Sequence, residues 1–186
     1  MRRIDTPLPG VCLIEPTVWR DERGFFFESY QEMKFAELGI RDHFVQDNHA
    51  RSVRHTLRGL HYQIHRLQAK LCRVIQGAVL DVVVDVRRGS PTFGWHVAEE
   101  LSAENQRMVY VPPGFAHGYA VLTDTAEFLY KCSDYYFPQY ERGILWSDPA
   151  LTIDWRVARP LLSTKDRAHL PLAAIPATDL PVYKAS

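Results

Sequence analysis

Residues 57–63 read Leu57-Arg58-Gly59-Leu60-His61-Tyr62-Gln63, and Lys70 and Gly77 follow them. A second block, Pro112-Pro113-Gly114-Phe115-Ala116-His117, lies downstream, and short apolar runs separated by Gly and Pro turns surround both blocks. Short strands at such spacing are typical of a β-sandwich or a β-barrel. Burying polar side chains inside a barrel costs folding free energy unless they bind a ligand or one another. The two blocks therefore predict an all-β barrel with a polar site inside it.

The layout of the two blocks resembles the two conserved boxes of a cupin barrel, which is a double-stranded β-helix or jelly roll. In a metal-binding cupin the first box supplies two histidines and a glutamate, whereas these positions hold His61, Gln63 and Lys70 here. A lysine ammonium carries only donors and cannot ligate a divalent metal. We therefore expect a cupin-like fold without a metal, in which His61 performs acid/base chemistry. The alternative is a metal-dependent cupin oxygenase, which Gln63 and Lys70 disfavour.

The overall composition is that of an ordinary soluble enzyme. The chain has 186 residues, 46% of them hydrophobic, and its 22 basic residues balance 22 acidic ones. Zero net charge argues against a nucleic-acid partner. No apolar stretch approaches the roughly 20 residues that a membrane span needs, and the first residues lack the apolar run of a signal peptide. We expect a cytoplasmic protein with no membrane partner.

The number and positions of the cysteines indicate that their thiols are reduced. Cys12, Cys72 and Cys132 lie in apolar contexts, and none of them forms a C-x-x-C pair. An odd number of cysteines leaves one over from any disulfide scheme. We expect buried thiols, with no zinc site and no structural disulfide.

The domain organisation is predicted to be simple: one cupin-like domain over 1–186, with the barrel core at about 10–137 and a wrapping segment of short helices and loops at about 138–186. A short helix is predicted over 31–38, ended by Gly39. In the strand predicted at 79–86, the even-numbered apolar residues share a face that should pack in the core, while Asp81 and Asp85 point to a polar space. Further strands are predicted at 11–14, 24–30, 71–76, 95–101, 108–111, 118–122 and 127–132.

His61 is the leading candidate for chemistry. A lone histidine is most often hydrogen-bonded in a core, but Lys70 and His117 occupy equivalent ligand-like positions near it. A neutral imidazole is well suited to take a proton near pH 7. Tyr130 stands at the end of a strand rich in phenols, so its ring either packs or returns a proton on the other face of a substrate.

Asp166 has two interpretations. It lies three residues after Ser163 at a predicted helix start, where a capping box would use its side chain. Alternatively its carboxylate binds His61 and fixes the imidazole tautomer, and the sequence leaves both interpretations open.

Several arginines precede or frame the first block. Each is either simply solvated or part of a bidentate grip on a diphosphate, and no phosphate-binding glycine loop is present. The residues concerned are Arg23, Arg51, Arg54 and Arg58.

Five segments carry a wider resemblance: residues 21–26, 57–63, 87–94, 111–118 and 162–166. Together they closely resemble the dTDP-4-dehydrorhamnose 3,5-epimerase family, over a span of about residues 10–172. The resemblance implies a jelly-roll homodimer without metal or other cofactor. It also implies a dTDP-linked 4-keto-6-deoxyhexose as substrate, in the dTDP-L-rhamnose pathway that supplies lipopolysaccharide or other cell-surface polysaccharide.

Roles for single residues follow from the same resemblance. It implies that His61 is the base beside the ketone, that Asp166 is its partner, and that Tyr130 is the acid on the opposite face. Lys70 would stabilise the enolate oxygen in place of a metal ion. A second set would bind the diphosphate, the sugar and, across the dimer interface, the nucleotide: Arg23, Phe26, Glu28, Gln46, Asn48, Arg58, His117 and Tyr136.

Two alternatives to a 3,5-epimerase remain open at this stage. A mono-epimerase acting on C3 or C5 alone would use the same catalytic groups. A non-catalytic cupin that only binds a nucleotide-sugar would not need His61, Lys70, Tyr130 and Asp166 to occur together, as they do here.

Overall fold

Antiparallel β-strands make up most of the fold, which a computed structural model describes for residues 1–184. In spatial order, the six-stranded sheet contains β1 (Arg2–Asp5), β2 (Cys12–Glu15), β10 (Met108–Val111), β7 (Lys70–Gln76), β12 (Thr125–Cys132) and β5 (Gln46–Val53). The five-stranded sheet contains β13 (Glu141–Gly143), β6 (Leu57–Gln63), β11 (Phe115–Val121), β8 (Ala78–Asp85) and β9 (His96–Ser102). A separate hairpin contains β3 (Trp19–Asp21) and β4 (Gly24–Phe26). The two large sheets form the predicted all-β jelly roll.

Helical structure is sparse, as predicted. The α-helices are α1 (Glu32–Glu37) and α2 (Thr164–Arg167), and 3-10 turns occur at Pro138–Tyr140, Leu172–Ala174 and Ala177–Asp179. The side chain of Gln31 caps α1 by accepting a hydrogen bond from the Lys34 amide. Phe35 of α1 is fully buried against the outer face of the six-stranded sheet. No helix within the described part of the chain has both the length and the apolar character that crossing a membrane requires.

Strand β8 shows why the two sheets hold together. Val79 and Val83 point into the core between the sheets, whereas Leu80, Val82 and Val84 pack under the C-terminal segment. Burial of apolar surface on both faces stabilises the strand by about 25 cal/mol per Å². The prediction that only one face of this strand packs in a core was wrong, because Val79 and Val83, on the face predicted to be polar, are buried between the two sheets.

The two acidic residues of β8 have different surroundings. Asp81 lies inside the barrel and binds His117. Asp85, the last residue of β8, is fully buried and accepts hydrogen bonds from Arg87, Ser90 and Thr92 in the turn that follows the strand. Only Asp81 reaches the barrel interior near His61, so the prediction of a shared polar space was wrong for Asp85.

The C-terminal segment covers the outer face of the five-stranded sheet. Trp155 anchors it, since its ring is buried and its indole N–H donates to the Trp146 carbonyl at 2.8 Å. This segment brings α2, and with it Asp166, against β6.

Two glycines set the register between β6 and β11. A Cβ on Gly59 would lie 2.5 Å from the Gly118 Cα, and a Cβ on Gly118 would lie 2.7 Å from the Arg58 carbonyl oxygen. No larger residue fits either position without moving a backbone. The close approach places His61 directly opposite His117 across the strand pair.

Candidate active site

A polar cavity lies between the two sheets, toward one end of the barrel. It has two adjoining lobes of about 310 Å³ and about 250 Å³, which share His61, Lys70, Tyr130 and Lys165. The outer lobe is completed by polar residues that include Gln46, Asn48, Tyr136 and Glu141. The inner lobe also contains Arg58, His117, Tyr119 and Asp166. Most of the predicted site residues therefore line one continuous space.

His61 is held by a carboxylate at one ring nitrogen. Its Nε2 lies 2.5 Å from Asp166 Oδ1, although the two residues are 105 positions apart in the chain. Burial alone would raise the pKa of Asp166, but the hydrogen bond and the charge of His61 outweigh it and lower that pKa. An ionised carboxylate has no proton to give, so Nε2 donates, and when the imidazole is neutral its lone pair lies on Nδ1. Nδ1 lies 4.0 Å from Glu141 Oε1, on the side of the outer lobe.

Ser163 prepares Asp166 for this contact. Its hydroxyl accepts a hydrogen bond from the Asp166 amide at 3.0 Å and so caps the N-terminus of α2. The cap leaves the Asp166 carboxylate turned to His61. Of the two interpretations of Asp166, the structure shows the contact with His61.

Tyr130 comes from the opposite wall. Its strand, β12, belongs to the six-stranded sheet, whereas β6 with His61 belongs to the five-stranded one. Burial raises the pKa of the Tyr130 phenol, so this group keeps its proton at neutral pH. The cavity therefore has an imidazole on one side and a neutral phenol on the other.

Lys70 supplies a positive charge that no carboxylate neutralises among residues 1–184. Two other lysines near the cavity are paired, Lys165 with Glu141 and Lys131 with Asp47. Within residues 1–184, no carboxylate oxygen lies within 4.0 Å of the Lys70 ammonium. Its charge is thus available to a negative oxygen in the cavity.

A second network lies beside Nδ1 of His61. Glu141 accepts hydrogen bonds from Lys165 and from the Tyr136 hydroxyl, the latter at 2.6 Å. Burial would raise the pKa of Glu141, but these two partners outweigh it and lower that pKa. Glu141 in turn raises the pKa of Tyr136 to about 12. The network fixes the wall of the outer lobe next to the imidazole.

Two hydrogen-bonded pairs fix side chains of the inner lobe. His117 Nε2 contacts both carboxylate oxygens of Asp81 at 2.9 and 3.0 Å, and both side chains are buried. The Nε of Arg58 donates to the Ser52 hydroxyl at 3.1 Å. His117 is therefore fixed by Asp81 rather than by His61, and Arg58 keeps further donors for a ligand.

Gln63 is a structural residue of this wall. Its amide donates to the carbonyls of Arg66 and Tyr135, and its oxygen accepts from the Phe137 amide at 2.7 Å. The side chain that stands at a metal-ligand position of the cupin box is thus engaged by backbone groups.

The predicted nucleotide-binding residues lie elsewhere in the single chain. Phe26 is 70% exposed on the hairpin and stacks against Trp19. The exposed Arg23 pairs with Asp21 in the same hairpin, and Glu28 binds Lys34. Within one chain, none of the three lines the cavity around His61.

Sequence reasoning missed groups at the site and beside it. Glu141 and Lys165 line the outer lobe. His169 lines neither lobe, but its ring packs edge-on against His61 with ring centroids 5.7 Å apart. Lys165 stands directly before Asp166, so its position was a usable signal. Glu141 begins the three-residue strand β13 and His169 lies in irregular chain, so neither belongs to a strand long enough for its period to show which side chains turn inward.

The fold and the cavity define a jelly-roll enzyme whose polar groups are arranged for proton transfer. A family model described as dTDP-4-dehydrorhamnose 3,5-epimerase matches residues 5–174. The chain belongs to the dTDP-4-dehydrorhamnose 3,5-epimerase family and is an isomerase, which confirms the resemblance seen in the motifs.

Relatives and solved structures agree with this assignment. The dTDP-4-dehydrorhamnose 3,5-epimerase of Pseudomonas aeruginosa is 56% identical over 169 residues, which span 90% of this chain and 93% of the relative. The epimerase RmlC from Legionella pneumophila, solved with dTDP-4-keto-L-rhamnose, has a TM-score of 0.97 and 50% identity over 99% of both chains. ChmJ, a 3'-monoepimerase from Streptomyces bikiniensis solved with dTDP-quinovose, has a TM-score of 0.90 and 38% identity over 96% of this chain and 92% of its own.

Proposed function

We propose that this chain epimerises C3 and C5 of dTDP-4-dehydro-6-deoxy-D-glucose and so forms dTDP-4-dehydro-L-rhamnose. The observation that carries the proposal is the placement of His61 and Tyr130 on opposite sheets, with one cavity between them. Inversion of a carbon requires that a proton leave one face and another arrive on the opposite face. An imidazole and a neutral phenol on facing walls supply both transfers.

The first step is removal of a proton beside the C4 ketone. Nδ1 of His61 carries the lone pair and takes this proton, while Asp166 stabilises the imidazolium that forms. The bonding electrons move toward the ketone, and the negative charge collects on its oxygen. Lys70 stabilises this enolate oxygen as a fixed cation, with no reorganisation at the moment of reaction.

The second step returns a proton on the other face. Tyr130 gives its phenolic proton to the same carbon, and the enolate becomes a ketone again with inverted configuration. The imidazolium then loses its proton to solvent and the phenolate regains one. The sequence of steps occurs once at C3 and once at C5, and it consumes no oxidant or reductant.

Binding groups follow from the two lobes. Arg58 is proposed to hold the diphosphate, since its guanidinium keeps donors beyond the one bound by Ser52. Gln46, Asn48 and Tyr136 line the outer lobe and are proposed to contact the sugar. His117, fixed by Asp81, shapes the inner lobe.

Deuterium labelling tests the proposal. Incubation with dTDP-4-dehydro-6-deoxy-D-glucose in D2O is expected to remove the proton NMR signals at both C3 and C5, because each carbon is reprotonated from solvent-exchanged groups. Label at one carbon alone would instead support a mono-epimerase, the second candidate that the similarity to ChmJ favours. Absence of label at both positions would contradict catalysis and support a binding protein.

A homodimer belongs to the same proposal. Arg23 and Phe26 stand on an exposed hairpin with Trp19 and Phe25, and within one chain none of them lines the cavity around His61. Exposed aromatic clusters of this kind mark interaction surfaces. The hairpin of one subunit is proposed to cover the cavity of its partner, where Arg23, Phe26 and Glu28 bind the nucleotide.

Hybrid dimers test this arrangement. One hybrid joins a His61→Gln chain to an Arg23→Ala/Phe26→Ala chain, and each chain carries a different affinity tag so that only hybrids are purified. If hairpins act across the interface, one complete site remains and about half of the wild-type activity per dimer is expected. The matched control joins wild type to a chain with all three substitutions and is expected to have little activity. The reverse order of the two activities, or a monomer by light scattering, would contradict the proposal.

A further inference from the structure

His61, Asp166 and His169 form a compact cluster of possible metal ligands. His61 and Asp166 line the inner lobe of the cavity, whereas His169 lines neither lobe. One ligand atom from each residue lies within 4.8 Å of the other two. His169 Nε2 is 3.8 Å from the same Asp166 Oδ1 that His61 contacts at 2.5 Å. Imidazole nitrogens and a carboxylate oxygen are the ligands of many three-residue zinc sites, which leave the fourth position to water.

His169 is packed into the protein, and its Nε2 makes no hydrogen bond within the described residues. Its side chain is 13% exposed, and within the described residues its Nε2 is buried with no hydrogen-bond partner. A Cβ on Gly143 would lie 2.3 Å from that nitrogen, so glycine is required for the ring to sit there. A buried imidazole nitrogen without a partner is costly, and a bound cation would satisfy it.

We propose that this cluster is an inhibitory site for Zn²⁺, with His61 Nε2, Asp166 Oδ1 and His169 Nε2 as ligands. The charge of Asp166 offsets part of the charge of the ion, and the nearby Lys165 is already paired with Glu141. Zinc–ligand bonds of about 2.0–2.2 Å place tetrahedral ligand atoms about 3.3 Å apart. The three ligand atoms lie within 4.8 Å of one another here, and they would adjust to that spacing when the ion binds. The ion is an inhibitor here and takes no part in the reaction.

Inhibition follows from the tautomer of His61. In the free enzyme Nε2 carries the proton and Nδ1 carries the lone pair. Zinc binds the lone pair of a ring nitrogen, so coordination at Nε2 moves the proton, by way of solvent, to Nδ1. No proton is gained or lost overall. The nitrogen proposed to take the substrate proton is then already protonated, and Asp166 is withdrawn to the metal.

Zinc titration of wild type and His169→Gln tests the site. Isothermal titration with zinc sulfate and no substrate is expected to show one tight site per wild-type chain, and His169→Gln should bind at least about tenfold more weakly. A control variant, His43→Gln/His49→Gln, removes two exposed His–Glu pairs and should keep the tight site. Equal affinity in His169→Gln, loss of the site in the control, or no tight site in wild type would overturn the proposal.

Activity measurements then test inhibition, which rests on the proposed function, whereas zinc binding does not. The zinc concentration for half-inhibition is expected to rise at least about tenfold in His169→Gln, with activity in the absence of metal within a few-fold of wild type. Equal sensitivity of the two enzymes would contradict inhibition through this site. Thermal unfolding verifies that the variant is folded, and His169→Asn replaces it if it is not. Zinc binding is measured without turnover. An inactive wild type would therefore refute the proposed function, while the titration would still test the zinc site.

Discussion

His61→Gln is expected to lower kcat/KM by about 10²–10⁴-fold, which is the contribution of a positioned general base. The glutamine amide can still donate a hydrogen bond to Asp166, but it has no basic nitrogen. The environment of Asp166 therefore changes little while the proton acceptor is lost. Steady-state kinetics with the 4-keto sugar nucleotide measures the effect, and calorimetry with dTDP should show nucleotide affinity within a few-fold of wild type.

His49→Gln is the matched control for this variant. His49 also contacts a carboxylate, Glu127 at 3.0 Å, but its side chain is 52% exposed and lies outside the cavity. Its substitution should leave kcat/KM unchanged. Full activity of His61→Gln would refute the assignment of the base, and an equal loss in His49→Gln would show that the assay responds to general damage.

Lys70→Met is expected to lower kcat by about 10²–10³-fold, the range observed when one group that stabilises an oxyanion is removed. Methionine keeps most of the length and packing of lysine but carries no charge, so the enolate oxygen loses its fixed cation. Because that charge forms only as the proton leaves, KM should change much less than kcat. Single-turnover kinetics separates this chemical step from product release.

Lys70→Arg separates charge from shape at the same position. It retains a cation in the cavity and is expected to keep more activity than Lys70→Met, though less than wild type, since the planar guanidinium has a different geometry. Equal activities of the Met and Arg variants would contradict an electrostatic role. A change confined to KM would instead assign Lys70 to ground-state binding.

The sequence predicted the strands of the barrel because these depend on local pattern. Strand β10 occurs at the predicted residues, and the alternation along β8 put Asp81 on the face opposite Val82, as the structure shows. The lysine in a metal-ligand position of the first box predicted a cation in place of a metal ligand, and the structure places Lys70 in the wall of the cavity.

The contacts that join distant segments were beyond such reasoning. Asp166 reaches His61 only because the C-terminal segment folds back over the five-stranded sheet, and nothing local to residue 166 specifies that path. The same holds for Glu141, at the start of the short strand β13, and for His169, which lies in irregular chain. The second core also depends on this segment, which covers the face of β8 predicted to be apolar, while the face predicted to be polar is buried between the two sheets.

Positional exchange in His61→Gln tests the central claim, that one base serves both carbons, most directly. Deuterium entry at C3 and at C5 of dTDP-4-dehydro-6-deoxy-D-glucose is followed separately by proton NMR in D2O, with wild type and variant at equal concentrations. A single base predicts that both exchange rates fall together, by about 10²–10⁴-fold. Exchange that persists at one carbon at the wild-type rate would show a second base and contradict the assignment of His61 to both steps.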